Sequence, residues 1–463
     1  MRARFDRGTL VLEAGSGISG ARDPSQIPGA AWDDEGRAWR VPAERYHELR
    51  VQMADEPVRP PDIWEGAPKV QVSSAWQLPP LRWYQQAALA HWRIAGQRGV
   101  IALPTGSGKT LVALAAIAEL GVPALIVVPT CVLLDQWAEA LSRCWQGEVG
   151  RLGDGEYRVG AITVSTYSSA VIWAPRIGDR FGLVIVDEAH HVGAWCPGEV
   201  LEMLVAPARM GLTATPPPPG GELGERVGPV IYSIGVDALT GDALAEYELV
   251  TIPIALAPPE RVHYRTQRGR FAHVYAKHAR RQRGEMSWHQ FVRTATRTTE
   301  GREALEAWKD YRALIAYPTG KQAALRELLA RHRGERTLVF TGDNATAYRI
   351  ARELLVVPIT HEIGRVERTQ VLERFRTGEI TVLVSSQVLD EGFDLPDADI
   401  AIIVGGSSSA RRQVQRIGRV LRPRPGKQAL VYELAVDDTT EIEYVRRRRA
   451  GLERPVRAAG GVR

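Results

Sequence analysis

Cysteine is scarce, with three residues in a chain of 463. Cys131, Cys144 and Cys196 are far apart and form no C-x-x-C pair, which excludes a disulfide framework and the usual zinc sites. His190 and His191 with Cys196 lack a fourth ligand, so a metal centre there is set aside. There is no run of about 18 apolar residues, so neither a membrane span nor a membrane partner is expected. Met1–Asp6 has no signal-peptide core, and the expectation is a cytoplasmic protein. No charge sign dominates: the formal net charge is +5, which alone says little about a polyanionic partner. The clustering of the charge is more informative.

A phosphate-binding pattern is present at Leu103-Pro104-Thr105-Gly106-Ser107-Gly108-Lys109-Thr110. An apolar run precedes it and a helix-forming run, Leu111–Ile117, follows. Gly106 and Gly108 allow positive φ and close backbone approach. Backbone N–H groups of Thr105–Thr110 can then ring a phosphate at a helix N-terminus, where the dipole favours negative charge. Lys109 would reach the β and γ phosphates of a nucleotide, and Thr110 would hold Mg²⁺. Leu103 stands where the full P-loop pattern has its first glycine. Downstream, Asp187-Glu188-Ala189-His190 follows a strand-like apolar run. Asp187 suits the metal, and Glu188 suits the base that deprotonates an attacking water. In Gln415–Arg422, Arg419 and Arg422 lie three apart on one helical face, suited to developing phosphoryl charge.

The organisation follows from the periodicity. Residues 1–75 read as a small separate domain, with a strand at Thr9–Glu13, a hairpin turn between Trp32 and Trp39, and a short helix from Pro42 to Met53. Apolar runs at 124–128, 161–164 and 183–186 predict strands buried on both faces of a parallel sheet. A second series at 336–340, 381–384, 400–404 and 429–432 predicts another. The expected fold is α/β, with two doubly wound lobes at 76–235 and 236–450 and a basic tail at 451–463. A largely helical, aromatic-interleaved insertion spans about 258–320. From Glu260 to Arg302 it carries eleven Arg or Lys residues against three acids, including Arg265, Arg268, Arg270, Arg280 and Arg281.

In chain order, Leu81–Gln85, Pro104–Thr110, Val128–Thr130, Ser165–Tyr167, Asp187–His190, Gly211–Thr215, Ser385–Asp394 and Gln415–Arg422 resemble the motif set of superfamily-2 helicases. Within that set the chain is most similar to the XPB-type DNA repair helicases in their short archaeal and bacterial form. The resemblance implies two RecA-like lobes, ATP and Mg²⁺, and 3′→5′ movement on DNA (duplex, fork or single strand). It implies that Gln85 and Arg82 contact adenine. Gly392 and Asp394 would approach the nucleotide from the second lobe, and Arg419 and Arg422 would be arginine fingers. His190, Thr213, Thr215 and Gln415 would couple the cleft to the nucleic-acid track, and Thr130, Thr166 and Ser386 would touch phosphates. Residues 1–75 would be a damage-recognition-like domain and the insertion a thumb. A monomer is expected, and a nuclease partner is a further expectation, although no docking motif shows one. The family's Arg-Glu-Asp element is absent, replaced by Pro216–Pro219. That keeps open a second reading, an ATP-switched DNA-junction binding module with little net unwinding. An RNA helicase is disfavoured by the insertion.

Overall fold

The computed structural model describes residues 2–13, 25, 27–53, 76–193, 198–214, 220–235, 237–239, 246–281, 287–360, 362–386, 398–405 and 428–450. The chain divides near residue 240 into two compact units.

The first unit opens with an antiparallel sheet of β1 (Arg2–Asp6), β2 (Thr9–Glu13), β3 (Ala31–Asp33) and β4 (Ala38–Pro42), in the order β1-β2-β4-β3. The Asp33 side chain accepts the Glu35 and Gly36 N–H groups, both at 3.1 Å, which closes the β3–β4 turn. Trp32 and Trp39 face each other across it, edge to face at 5.7 Å. A 3₁₀ turn at Ala43–Arg45 leads into α1 (Tyr46–Met53). Leu10, Leu12, Val41, Tyr46 and Leu49 form a small core that also takes in Val205, so this sheet is packed on the larger part of the unit.

That larger part runs α2 (Trp83–Ile94), β5 (Arg98–Ala102), α3 (Lys109–Leu120), β6 (Ala124–Val128), α4 (Cys131–Cys144), β7 (Val149–Gly153), β8 (Glu156–Arg158), β9 (Ile162–Thr166), α5 (Tyr167–Ile177), β10 (Leu183–Val186), α6 (Glu199–Glu202), β11 (Ala208–Thr213), α7 (Glu222–Arg226) and β12 (Val230–Ser233). The sheet order is β12-β5-β11-β10-β6-β9-β7-β8. Every neighbouring pair is parallel except the β7–β8 hairpin. All residues of β6, β9 and β10 are buried, as their apolar runs predict. Each such aliphatic side chain contributes about 1.5–3 kcal/mol on burial.

Arg209 on β11 is fully buried. It donates to the carbonyls of Ala206, Arg226, Leu201 and Leu204 at 2.7–3.2 Å. Burial pushes its pKa down to about 9, which still leaves it charged at neutral pH. Beside it, Arg226 pairs with both Glu202 and Glu44, the latter from the N-terminal sheet region.

The second unit contains β13 (Glu246–Ile254), α8 (Pro258–Arg281), α9 (Trp288–Ala295), α10 (Thr299–Ala316), α11 (Thr319–Arg331), β14 (Thr337–Phe340), α12 (Asn344–Leu354), β15 (Val357–Ile359), α13 (Arg365–Arg376), β16 (Val382–Ser385), β17 (Ile400–Ile403), β18 (Gln428–Val436) and α14 (Thr440–Ala450). Its sheet is parallel throughout, ordered β13-β18-β17-β14-β16-β15. The buried Lys321 ammonium donates to the Val404 carbonyl at 2.6 Å and pairs with Glu441 at 2.7 Å. The insertion is helical, made of α8, α9 and α10. Phe271 contacts Tyr275, Trp288, Phe291 and Tyr311, and Tyr264 and Tyr311 join the core of the second unit, while Trp288 is exposed. Arg261, Arg265, Arg268, Arg270 and Arg280 of α8 are exposed. Among the described residues, no helix is long and apolar enough to cross a membrane.

Candidate active site

The site is assembled at the C-terminal ends of β5, β11 and β10, which lie side by side. Ligands of open α/β sheets bind at this edge. The chain leaves β5 at Leu103, whose N–H donates to the Thr213 carbonyl at 3.0 Å. The loop turns through Gly106 at φ +83° and Gly108 at φ +79°. At Gly108 an added Cβ would lie 2.5 Å from the Gln85 amide nitrogen, so close approach and positive φ both require glycine. Lys109 is the first residue of α3, and its Nζ donates to the Leu103 and Pro104 carbonyls at 3.1 and 3.3 Å. Thr110 follows it in the first turn. A flexible ammonium thus lies over a helix N-terminus whose dipole favours an anion.

The loop is braced from α2. The Tyr84 hydroxyl donates to the Ser107 carbonyl at 2.7 Å. The Gln85 Nε2 donates to the same carbonyl at 2.8 Å, and its Oε1 accepts the Arg82 N–H at 2.9 Å. Gln85 is therefore a buried brace between Arg82 and the phosphate loop. Trp83, next to it, is exposed.

Asp187 continues β10, its N–H donating to Val127 at 2.9 Å. One carboxylate oxygen accepts the Trp137 indole N–H at 2.7 Å and the other the Glu188 N–H at 2.8 Å. The Tyr167 hydroxyl donates to the Asp187 backbone carbonyl at 2.5 Å. Burial pushes the Asp187 carboxyl up; the Trp137 N–H, the Lys109 charge and the Glu188 N–H pull against it. Glu188 sits at φ +46°, ψ +47°, a left-handed conformation that costs a non-glycine residue about 1–2 kcal/mol. The His190 Nδ1 lies 3.1 Å from the Thr213 hydroxyl and 3.4 Å from a Glu188 carboxylate oxygen. Thr213 touches both halves, since its carbonyl holds Leu103 and its hydroxyl meets His190.

Among the described residues, no cluster of three or more His, Cys, Asp or Glu could form a metal cage. The Asp187 carboxylate with the Thr110 hydroxyl suits a Mg²⁺ that arrives with nucleotide phosphates and keeps its waters. Oxygen donors of this kind suit a hard divalent ion.

The structure thus brings together Gln85, Arg82, Thr105–Thr110, Asp187, Glu188, His190 and Thr213. Thr215, Gly392, Asp394, Gln415, Arg419 and Arg422 lie outside the described residues, as do Cys196 and Pro216–Pro219. Thr130 and Thr166 cap α4 and α5 through their hydroxyls. Thr166 and Ser386 are both buried, at 5% and 1% exposed. Arg265, Arg268, Arg270 and Arg280 are exposed along α8, and Arg281 closes that helix. Trp137 escaped the sequence reading, and Tyr84 and Tyr167 were read only as members of the stretches Leu81–Gln85 and Ser165–Tyr167, with no bracing role. Each looks like an ordinary apolar position, and its partner is 20 to 50 residues away.

Three family descriptions match the chain. Residues 4–62 match the Xeroderma pigmentosum group B helicase damage recognition domain, 78–218 the Type III restriction enzyme res subunit, and 320–424 the helicase conserved C-terminal domain. The DNA 3′-5′ translocase XPB2 of Sulfurisphaera tokodaii is 34% identical over 426 residues, 91% of this chain and 96% of that protein. The chain belongs to the XPB helicase family. A putative DNA 3′-5′ helicase Rad25 of Halobacterium salinarum is 31% identical, covering 96% of this XPB-family chain and 69% of its own length. The DNA 3′-5′ helicase XPB of Mycobacterium tuberculosis is 30% identical, and the match covers 64% of its length. The Hef helicase domain of Pyrococcus furiosus shares the fold, with a TM-score of 0.52 at 20% identity over 79% of this chain and 97% of that one. This XPB-family chain is a superfamily-2 ATP-dependent DNA helicase with parallel-sheet lobes.

Proposed function

We propose that this protein is an ATP-driven DNA translocase or helicase of 3′→5′ polarity, acting in DNA repair. One observation carries the reading: Lys109 at the head of α3 and the Asp187–Glu188 pair at the end of β10 are joined through Thr213. A phosphate site, a metal-binding acid and a base then converge on one sheet edge.

The residues divide the work. The loop N–H groups and Lys109 hold the β and γ phosphates. Thr110 and Asp187 hold Mg²⁺, which supplies charge neutralisation when bound. Glu188 takes a proton from water as the water oxygen bonds to the γ phosphorus, and the bond to the β–γ bridging oxygen breaks, releasing ADP and phosphate. Gln85 and Arg82 are assigned to the adenine side, where the Gln85 brace would report base occupancy to the loop. Arg419 and Arg422, with Gly392 and Asp394, are assigned to the second lobe's share of the reaction, and Thr215 and Gln415 to coupling. DNA is gripped without sequence preference by the N-terminal ends of α4 and α5, at Thr130 and Thr166, and by the α8 arginines. Residues 1–75 serve as the damage-recognition-like domain, 76–235 and 236–450 as the two lobes, 258–320 as the thumb and 451–463 as a basic tail. The protein is taken to work as a cytoplasmic monomer, with a nuclease as a candidate partner.

Two assays test this reading. Displacement of a triplex-forming strand reports translocation, and a forked duplex reports opening. ATP-dependent displacement of the third strand supports the motor. DNA-stimulated hydrolysis with displacement in neither assay would overturn it in favour of the ATP-switched junction binder, which the missing Arg-Glu-Asp element keeps in view.

A further inference from the structure

Asp187 is held by two aromatic side chains from outside its own motif, Trp137 of α4 and Tyr167 of α5. The sheet order there is β10-β6-β9. α4 follows β6 and α5 follows β9. From α4, the Trp137 indole N–H reaches the Asp187 carboxylate at 2.7 Å. From α5, the Tyr167 hydroxyl reaches the Asp187 carbonyl at 2.5 Å, spanning β6 to do so. Both donors are buried, as is their acceptor.

We propose that Trp137 and Tyr167 are positioning residues that set the Asp187 carboxylate for its metal and tie it to the N-terminal ends of α4 and α5. With the Glu188 N–H on Oδ1 and the indole on Oδ2, the carboxylate plane cannot rotate, and the remaining lone pairs are fixed in direction. The Tyr167 hydroxyl fixes the backbone that carries it. The inference rests on the proposed function for what the metal does and for DNA at Thr130 and Thr166. A shift of α4 or α5 on DNA would be transmitted to Asp187 through one hydrogen bond each.

Trp137→Phe removes the N–H and keeps an aromatic ring. Tyr167→Phe removes one oxygen and serves if the first variant fails to fold. The direct readout is ADP affinity with Mg²⁺ and with EDTA. In wild type Mg²⁺ tightens binding. In Trp137→Phe that tightening should shrink about tenfold with EDTA affinity close to wild type, while the thermal midpoint falls because the smaller ring leaves a cavity at a fully buried position. In Tyr167→Phe it should shrink about two- to tenfold. A merely structural role would lower the midpoint and both affinities together. Wild-type Mg²⁺ dependence in the folded variants overturns the proposal. The ratio of duplex-stimulated to basal hydrolysis should also fall in both variants, and an unchanged ratio overturns the link to DNA. A wild-type protein that binds Mg·ADP normally yet hydrolyses nothing on DNA would defeat the motor reading alone.

Discussion

Glu188 is held in a left-handed backbone conformation that a side-chain-bearing residue adopts at a cost. Strain of this kind persists where the surroundings over-determine it. Here the Asp187 carboxylate accepts the Glu188 N–H, and His190 lies against its carboxylate. Glu188→Gln should keep the fold, bind ATP and DNA, and lose at least about a hundredfold in turnover. Brisk hydrolysis by that variant would remove Glu188 as the base. Gly108→Ala should cripple nucleotide binding, because the new methyl meets the Gln85 amide and the φ is wrong for alanine. Nucleotide affinity within about threefold of wild type would contradict this geometry. At this scale the sequence was informative where chemistry dictates spacing, as in the Gly-Lys-Thr loop and the Asp-Glu pair. It was silent on Trp137 and marked Tyr167 only as the end of a motif stretch, because the roles of both depend on long-range contacts rather than on local pattern.

The elements show the same division. β6, β9 and β10 are continuous apolar runs, and such runs have few other places to go than a doubly covered parallel sheet. The β7–β8 hairpin was missed because Val149–Gly153 and Glu156–Arg158 carry too few apolar residues to make a pattern. β13 was missed too: it is an edge strand with polar residues, defined by its nine-residue pairing with β18. The helical insertion was legible, but the orientation of its residues was not. Phe291, Tyr264 and Tyr311 are buried and Arg265, Arg268, Arg270 and Arg280 exposed, which supports charge as the main means of grip. Replacing Arg265, Arg268, Arg270 and Arg280 together with Gln should weaken duplex binding. It should also reduce the slope of log K against log[salt] by about one for each phosphate no longer neutralised. Equal affinity and slope across a salt titration would rule out α8 as the grip.

Across the first unit, the N-terminal sheet is fastened to the ATP-binding part by a shared apolar core and by charge. Glu44 meets Arg226, Arg226 meets Glu202, and the buried Arg209 gathers four carbonyls beneath them. Arg209→Met would take the Arg209 donor from all four carbonyls, although the Arg226 carbonyl keeps Arg98 and the Leu201 carbonyl keeps the Leu204 N–H, and the loss should reach about 3 kcal/mol in a denaturant titration. A change below about 1 kcal/mol would show that water satisfies them equally well. No sequence pattern marks Arg209, which reads as a polar interruption of a strand. The two-lobe organisation was legible because each lobe repeats the strand-helix alternation.

In the molecule as a whole, one ATP site is held to be driven by DNA. The most direct test is ATP hydrolysis by the full chain with single-stranded DNA, duplex, fork and RNA compared side by side. The expected result is slow basal turnover, strong stimulation by one or more of the DNA forms and little by RNA, with Glu188→Gln inactive throughout. Hydrolysis that is indifferent to DNA, or that responds best to RNA, would contradict a DNA-driven motor.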